Sequence, residues 1–192
     1  MPASAPASAP VAVSTHAPHP NSGALIARFD LPRHSVVIRA LRKDDGLKLE
    51  WQGGADLRNF YERQWTAHEM GEAFVLVADF NGFPIGQAAL YWEGKPAHPG
   101  IPDLQSLRVH PIFQGQGIGT QLLDVGALVV KERGFSQIGL SVNPDNFRAH
   151  HLYERCGYRL MSAPYEDQWQ YTNAAGEVVV VTEVILDMVK DL

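Results

Sequence analysis

The chain has 192 residues, 45% of them hydrophobic, with a net charge of −5 and a single cysteine. That length suits one domain able to bury its own core. The acidic balance, with no run of Lys or Arg, argues against a nucleic-acid surface, and one cysteine excludes an internal disulfide framework or a multi-cysteine zinc site.

Residues 1–33 are expected to form a disordered tail. The first 22 are mostly Ala, Pro, Ser and Val without Asp, Glu, Lys or Arg, and prolines at 2, 6, 10, 18 and 20 break every candidate apolar run. A folded domain is expected over 34–192. No run approaches the roughly 20 apolar residues of a membrane span, so a cytoplasmic location is expected. "HSVVIRA" predicts a strand over 35–41, and Asp44 or Asp45 could cap a helix after it. "ADLRNFYERQWTAHEM" predicts a helix, since Leu57, Phe60, Tyr61 and Trp65 recur at helical spacing. "AFVLVADFNGFPIGQAALYW" predicts a hairpin turning at Asn81-Gly82, the dipeptide that favours a primed turn.

Residues 93–103, with three prolines and two glycines, read as a loop. "LQSLRV" predicts a strand and "GTQLLDVGALVVKERG" a helix with an apolar stripe of Ile118, Leu122, Val125, Val129 and Val130, ended by Gly134. "SQIGLSV" alternates as a half-buried strand does. Asn146 is placed to cap a short helix that Gly157 stops, and Cys156 reads as a small buried apolar residue. Strands are expected around 158–161, 168–172 and 177–188. The sum is an α+β domain with a mixed sheet of about seven strands and four helices.

"VHPIFQGQGIGTQLL", residues 109–123, carries the chemistry. Glycine weakens a helix start, yet Gly115, Gly117 and Gly119 stand there. A helix N-terminus offers unpaired N–H groups and about half a positive charge, and an anion can approach them only where no Cβ intervenes. The stretch therefore reads as an anion cradle, the alternative being a tight strand–helix turn. A dinucleotide fingerprint needs Gly or Ala at 120, where Thr120 stands, and usually opens its domain. A P-loop needs a lysine that is missing between Arg108 and Lys131.

"LRVHPIFQGQGIGTQLL" resembles the signature of the GNAT superfamily of acyl-CoA-dependent N-acyltransferases. Gln114, Gly117 and Gly119 match its core, and Leu107, Val109 and Pro111 the segment before it. Asn146, Ala149 and "LYERCGY" at 152–158 resemble its second motif. The resemblance covers about residues 103–160. It implies a sheet whose strands splay to form an acyl-CoA cleft, with acetyl-CoA as co-substrate and no metal. It implies direct transfer of an acetyl group to a primary amine of a small molecule or peptide, in a ternary complex. The main chain of Gln114, Gly115, Gln116, Gly117, Ile118, Gly119 and Thr120 would hold the pyrophosphate. Leu107, Arg108 and Val109 would pair with the pantetheine arm, with Asn146 as a further contact.

Tyr153 occupies the family's position for the acid that serves the departing thiolate. Asp103 and Glu93 are the candidates for the base, each also readable as an exposed loop residue, and His110 is expected to face solvent. His150 and His151, adjacent on a helix, cannot form a simple metal pair. Asp44, Asp45, Glu50, Asp56, Glu62, Glu69 and Glu72 make the early half acidic, which reads first as an ordinary solvated helix face and secondly as an acidic mouth suited to a cationic amine. Trp51, Tyr61, Trp65, Tyr91 and Trp92 there either line a pocket or fill the core. The expected partners are the amine acceptor and, as is common in the family, a second copy in a homodimer; no nucleic acid or membrane is expected. The competing readings are a coenzyme A-binding sensor module without turnover and, less in keeping with Thr120, a nucleotide-dependent oxidoreductase.

Overall fold

The computed structural model describes residues 25–31 and 34–192. In chain order the strands are β1 (Leu25–Leu31), β2 (His34–Ala40), β3 (Ala73–Phe80), β4 (Phe83–Tyr91), β5 (Gly94–Lys95), β6 (His98–Pro99), β7 (Asp103–Val109), β8 (Gln137–Val142), β9 (Arg159–Leu160), β10 (Tyr165–Thr172) and β11 (Val178–Asp191). The helices are α1 (Asp45–Lys48), α2 (Arg58–Glu69), α3 (Ile118–Glu132) and α4 (Phe147–Arg155). One nine-stranded sheet runs β1-β2-β3-β4-β7-β8-β11-β10, with β9 beside β11, and β5-β6 form a separate ribbon. The α+β order and the four helices match expectation; the sheet exceeds the expected seven strands. β1 lies inside the segment expected to be a tail and pairs antiparallel with β2. The rest of that segment, 1–24 and 32–33, lies outside the described residues.

β3 is apolar along almost its whole length because both of its faces are covered. Phe74, Leu76 and Ala78 join the larger core with Leu122, Leu123 and Val130 of α3, while Val75 and Val77 join a smaller one with Leu41, Leu49 and Tyr61 of the opposite layer. At Asn81 and Gly82 φ is 53° and 82°, as a primed hairpin turn demands. Gly126 lets α3 sit close on the sheet: a Cβ there would meet Leu104 Cδ1 at 3.2 Å and Leu90 Cδ2 at 3.5 Å. This approach fixes the N-terminus of α3 over the end of β7.

Two irregularities open the sheet. β7 and β8 run parallel but pair only at Asp103↔Gly139 and Leu104↔Leu140. On its other side β7 carries a bulge: Gln87 opposes Arg108 and Ala89 opposes Gln105, leaving Ser106 and Leu107 against Ala88 alone. Ser106 takes up the extra residue with φ of 55°. Beyond Leu104 the two strands part, and the β8-facing edge of β7 has no strand beside it.

Candidate active site

Two clefts meet at this opening. The first, about 500 Å³, is lined by Val109, Gln114, Gly115, Gly117, Ile118, Gly119, Thr120, Asn146 and Arg148, among others. Gly117 caps α3 with φ of 84° and Gly115 has φ of 76°, and nothing lies within 4 Å of a Cβ built at either. The first intrahelical bond of α3 is Gln121 N–H to Gly117 C=O at 3.0 Å, so the N–H groups of Ile118, Gly119 and Thr120 precede it and face no helical acceptor. Open glycine positions and three N–H groups without helical acceptors thus stand together at one cleft. Arg148 and Arg155 add positive charge to its wall, and neither was anticipated.

Gln114 differs from the expectation. The Gln114 backbone N–H is spent on Pro111 C=O at 3.3 Å, closing the short turn Pro111–Phe113. Its side chain braces the loop: Nε2 donates to Val109 C=O at 2.9 Å and Oε1 accepts from Arg148 Nη1 at 3.1 Å. Gln116 Nε2 donates to Ile112 C=O at 3.2 Å, and its side chain is not part of the cleft wall. Asn146 caps α4, its Oδ1 accepting from Ala149 N–H at 3.1 Å, while also lining the cleft. His110 does not face solvent freely; it is half-buried, with its ring 5.0 Å from that of Trp51 and 5.9 Å from that of Phe113.

The second cleft, about 640 Å³, adjoins the first at β7, where Leu107 belongs to the wall of both. Arg108, Asp103 and Tyr153 line it, with Gln64, Tyr91, Lys95, Ser141 and Trp169. Tyr153 is buried against Tyr158, ring centroids 6.1 Å apart, and burial pushes its hydroxyl up to about 12. Asp103 is buried rather than exposed, which removes the loop-residue reading. Burial raises its carboxyl above the ordinary range, against the Gln105 Nε2 donor at 2.8 Å and the charge of Lys95, which pull downward. Glu93 is exposed and outside the wall of this cleft, so the structure does not bring it to Asp103 and Tyr153.

The acidic early half does not form the mouth. Asp45 is fully buried, bonded to Arg39 Nη1 at 2.6 Å and Nη2 at 2.8 Å; Asp44 pairs with Lys48 and Glu50 with Arg58. Glu62, Glu69 and Glu72 are likewise absent from the wall, and the Asp56 side chain lies outside the described residues. The acids that do line the cleft are Asp103, Asp167 and Glu183, the last two from β10 and β11. Of the five early aromatics only Tyr91 lines it; Tyr61 is core, Trp51 Nε1 donates to Pro84 C=O at 2.9 Å, Trp65 packs against the smaller core, and Trp92 stacks on Phe135. Among the described residues no group of three or more His, Cys, Asp or Glu is placed to hold a metal, and no helix is long and apolar enough to cross a membrane.

A mycothiol acetyltransferase of Propionibacterium freudenreichii subsp. shermanii is 36% identical over 110 residues, covering 56% of this chain and 33% of that protein. An uncharacterized N-acetyltransferase of Methanocaldococcus jannaschii is 27% identical over 137 residues, covering 65% of this chain and 61% of its own length. The chain thus spans between a third and about three fifths of these relatives. Among solved structures, the GNAT domain of S. lividans PAT aligns with a TM-score of 0.64 at 19% identity, over 86% of this chain and 96% of that one. A GNAT family acetyltransferase from Elizabethkingia anophelis with acetyl-CoA bound aligns at 0.55 and 18% identity, over 82% and 98%. These two alignments show a shared fold. The profile of the Acetyltransferase (GNAT) family matches residues 39–158, more than half of the chain, and the chain belongs to that family.

Proposed function

We propose that the protein transfers an acetyl group from acetyl-CoA to a primary amine of a small molecule or peptide, both substrates being held at once. The observation that carries this reading is the double role of Leu107, which stands in the wall of a glycine- and arginine-lined cleft and of an acid- and aromatic-lined one. A donor in one cleft and an acceptor in the other would meet there. The residues present fit coenzyme A: the cradle is open where a Cβ would stand, unpaired N–H groups point from the start of α3, and two arginines flank it. When bound, acetyl-CoA supplies an activated acetyl group as a thioester. The unpaired edge of β7 beyond Leu104 offers main-chain partners to an extended arm, as an added strand would use them.

Asp103 takes the proton that the attacking amine gives up, its buried position keeping it basic enough to hold one. Tyr153 donates a hydrogen bond to the departing sulfur. An ordinary thiol has a pKa of about 8.5, roughly three and a half units below the Tyr153 hydroxyl, so complete proton transfer from Tyr153 is uphill by about 5 kcal/mol. Donating a hydrogen bond carries no such cost. Attack in this reading is direct, and Cys156, the sole cysteine, is not placed to carry the acetyl group: it is buried in the core with its thiol pushed up by burial and lines neither cleft.

The test is thiol release from acetyl-CoA across a panel of primary amines, run beside calorimetric titration with coenzyme A. Release that depends on the amine supports transfer. Binding of coenzyme A with no release from any amine would instead support the sensor-module reading, and no binding would end both.

A further inference from the structure

Asp103 shares its wall with a lysine held in place by other acids. Lys95, on the β5-β6 ribbon, lines the acceptor cleft and, with Asp103, His98 and Asp187, a small cavity of about 10 Å³ behind it. Its Nζ lies 3.4 Å from Asp167 Oδ2 and 3.6 Å from Asp187 Oδ1. Asp187 has other donors: Ser141 Oγ at 2.6 Å, Tyr165 OH at 2.8 Å and His98 Nε2 at 3.0 Å. These bonds, together with Lys95, outweigh burial and hold its carboxyl below the usual range. The groups facing Lys95 are Asp167 and the Tyr165 ring, 5.9 Å away, from β10 and Asp187 from β11, with Asp103 of β7 in the same two walls; His98 of β6 and Ser141 of β8 stand behind them on Asp187.

Three carboxylates crowd a half-enclosed space around one ammonium. With Asp187 already supplied with donors, the Lys95 charge acts over the whole cluster. We infer that Lys95 is a positioning residue for acetyl transfer: tethered by Asp167 and Asp187, its ammonium is the counter-charge that keeps the buried Asp103 a carboxylate at working pH. The inference rests on the reading of Asp103 as the base. Burial, Asp187 and Asp167 all favour the protonated Asp103, while Gln105 and Lys95 oppose them. Of the two, only Lys95 contributes a full charge.

The experiment is the pH profile of kcat/KM for the full chain, with an acceptor found in the amine panel. Asp103 must be ionised to act, so the rate climbs as pH rises through its pKa. Lys95→Met moves that climb upward by about half a pH unit or more, and Lys95→Arg restores it. A lower plateau with an unmoved climb in Lys95→Met would overturn the inference. Should that variant fail to fold, Lys95→Gln is read in the same way, and an unmoved climb there overturns it equally. Asp103→Asn distinguishes the underlying reading: if the climb survives that substitution, Asp103 is not the base and the premise itself fails.

Discussion

The Gln114 side chain ties the cradle to the end of β7, its Nε2 donating to Val109 C=O at 2.9 Å while its Oε1 accepts from Arg148 at 3.1 Å. One amide thus links the strand, the glycine turn and α4. Gln114→Ala cuts both bonds, leaving Gln116 Nε2 on Ile112 C=O as a side-chain brace of the turn. One bond lost is neutral and the other has a charged donor, and both are exposed; coenzyme A affinity is expected to fall about tenfold with little change in melting temperature. Isothermal titration measures the first and thermal unfolding the second.

Gly117 tests the cradle differently. Its φ of 84° is left-handed, and no atom lies within 4 Å of a built Cβ, so a substitution there is opposed by the backbone and not by a neighbour. Gly117→Val is expected to cost about 1–2 kcal/mol of stability and to put a branched side chain where the phosphate would approach. Gly117→Asn, which tolerates this conformation better, should retain most of the stability and lose mainly affinity. Equal coenzyme A affinity in wild type and Gly117→Val would remove the cradle.

The features legible from sequence were local. The Asn81-Gly82 turn, the Asn146 cap and the left-handed glycines before α3 each state their geometry within a few adjacent residues. The illegible features are assembled by topology. Lys95 reads as part of a proline-rich loop until the ribbon sets it beside Asp187 of β11 and Asp167 of β10. Arg148 looks like any helix-surface cation until α4 lies against the glycine turn. The acidic early half misled because a charge count does not show which carboxylates are already paired; Asp45 serves Arg39. Glu93 misled for a related reason, since proximity in sequence to a cleft strand does not turn a side chain into the cleft. β1 escaped notice because "LIARFDL" is short and comes after a long polar and proline-rich run.

The Arg39 guanidinium lies between Asp45 and Asp79, with Nη2 2.7 Å from Asp79 Oδ2. Asp45 also accepts the Arg42 N–H at 2.8 Å, pinning the chain where β2 turns into α1. Removing Asp45 leaves the buried guanidinium with Asp79 as counter-charge and takes an acceptor from Nη1 and from the Arg42 N–H. Asp45→Ala is expected to destabilise the fold by about 2–4 kcal/mol, read as a lower urea midpoint with an unchanged slope. Its network joins neither cleft, so folded variant protein should keep its coenzyme A affinity.

Tyr153→Phe deletes one hydroxyl from a packed position and so separates chemistry from folding. If the hydroxyl donates to the departing sulfur, kcat falls at least about tenfold, or roughly 1.4 kcal/mol, while coenzyme A affinity stays within about threefold. Because burial holds the hydroxyl protonated up to about pH 12, its ionisation should add no alkaline fall to the wild-type profile below about pH 10. A rate equal to wild type in Tyr153→Phe would exclude the role.

Asp103 sets activity against stability. Its carboxyl is raised in the folded state, chiefly by burial, so the fold binds that proton more tightly than the unfolded chain does. For such a group the unfavourable contribution to stability is absent below the unfolded pKa of about 3.9 and develops as pH rises through the folded value. At pH 7 the charge is therefore held at a cost. Asp103→Asn removes the charge, and its side-chain oxygen can still accept from Gln105. The variant is expected to melt higher than wild type at pH 7, to lose that advantage near pH 3, and to have lost the acid limb of kcat/KM together with most of the rate. Thermal scans at the two pH values, run beside the rate profile, check both halves. A variant less stable than wild type at pH 7 would mean that the carboxylate is satisfied in place, and the basicity inferred from its burial would go with it.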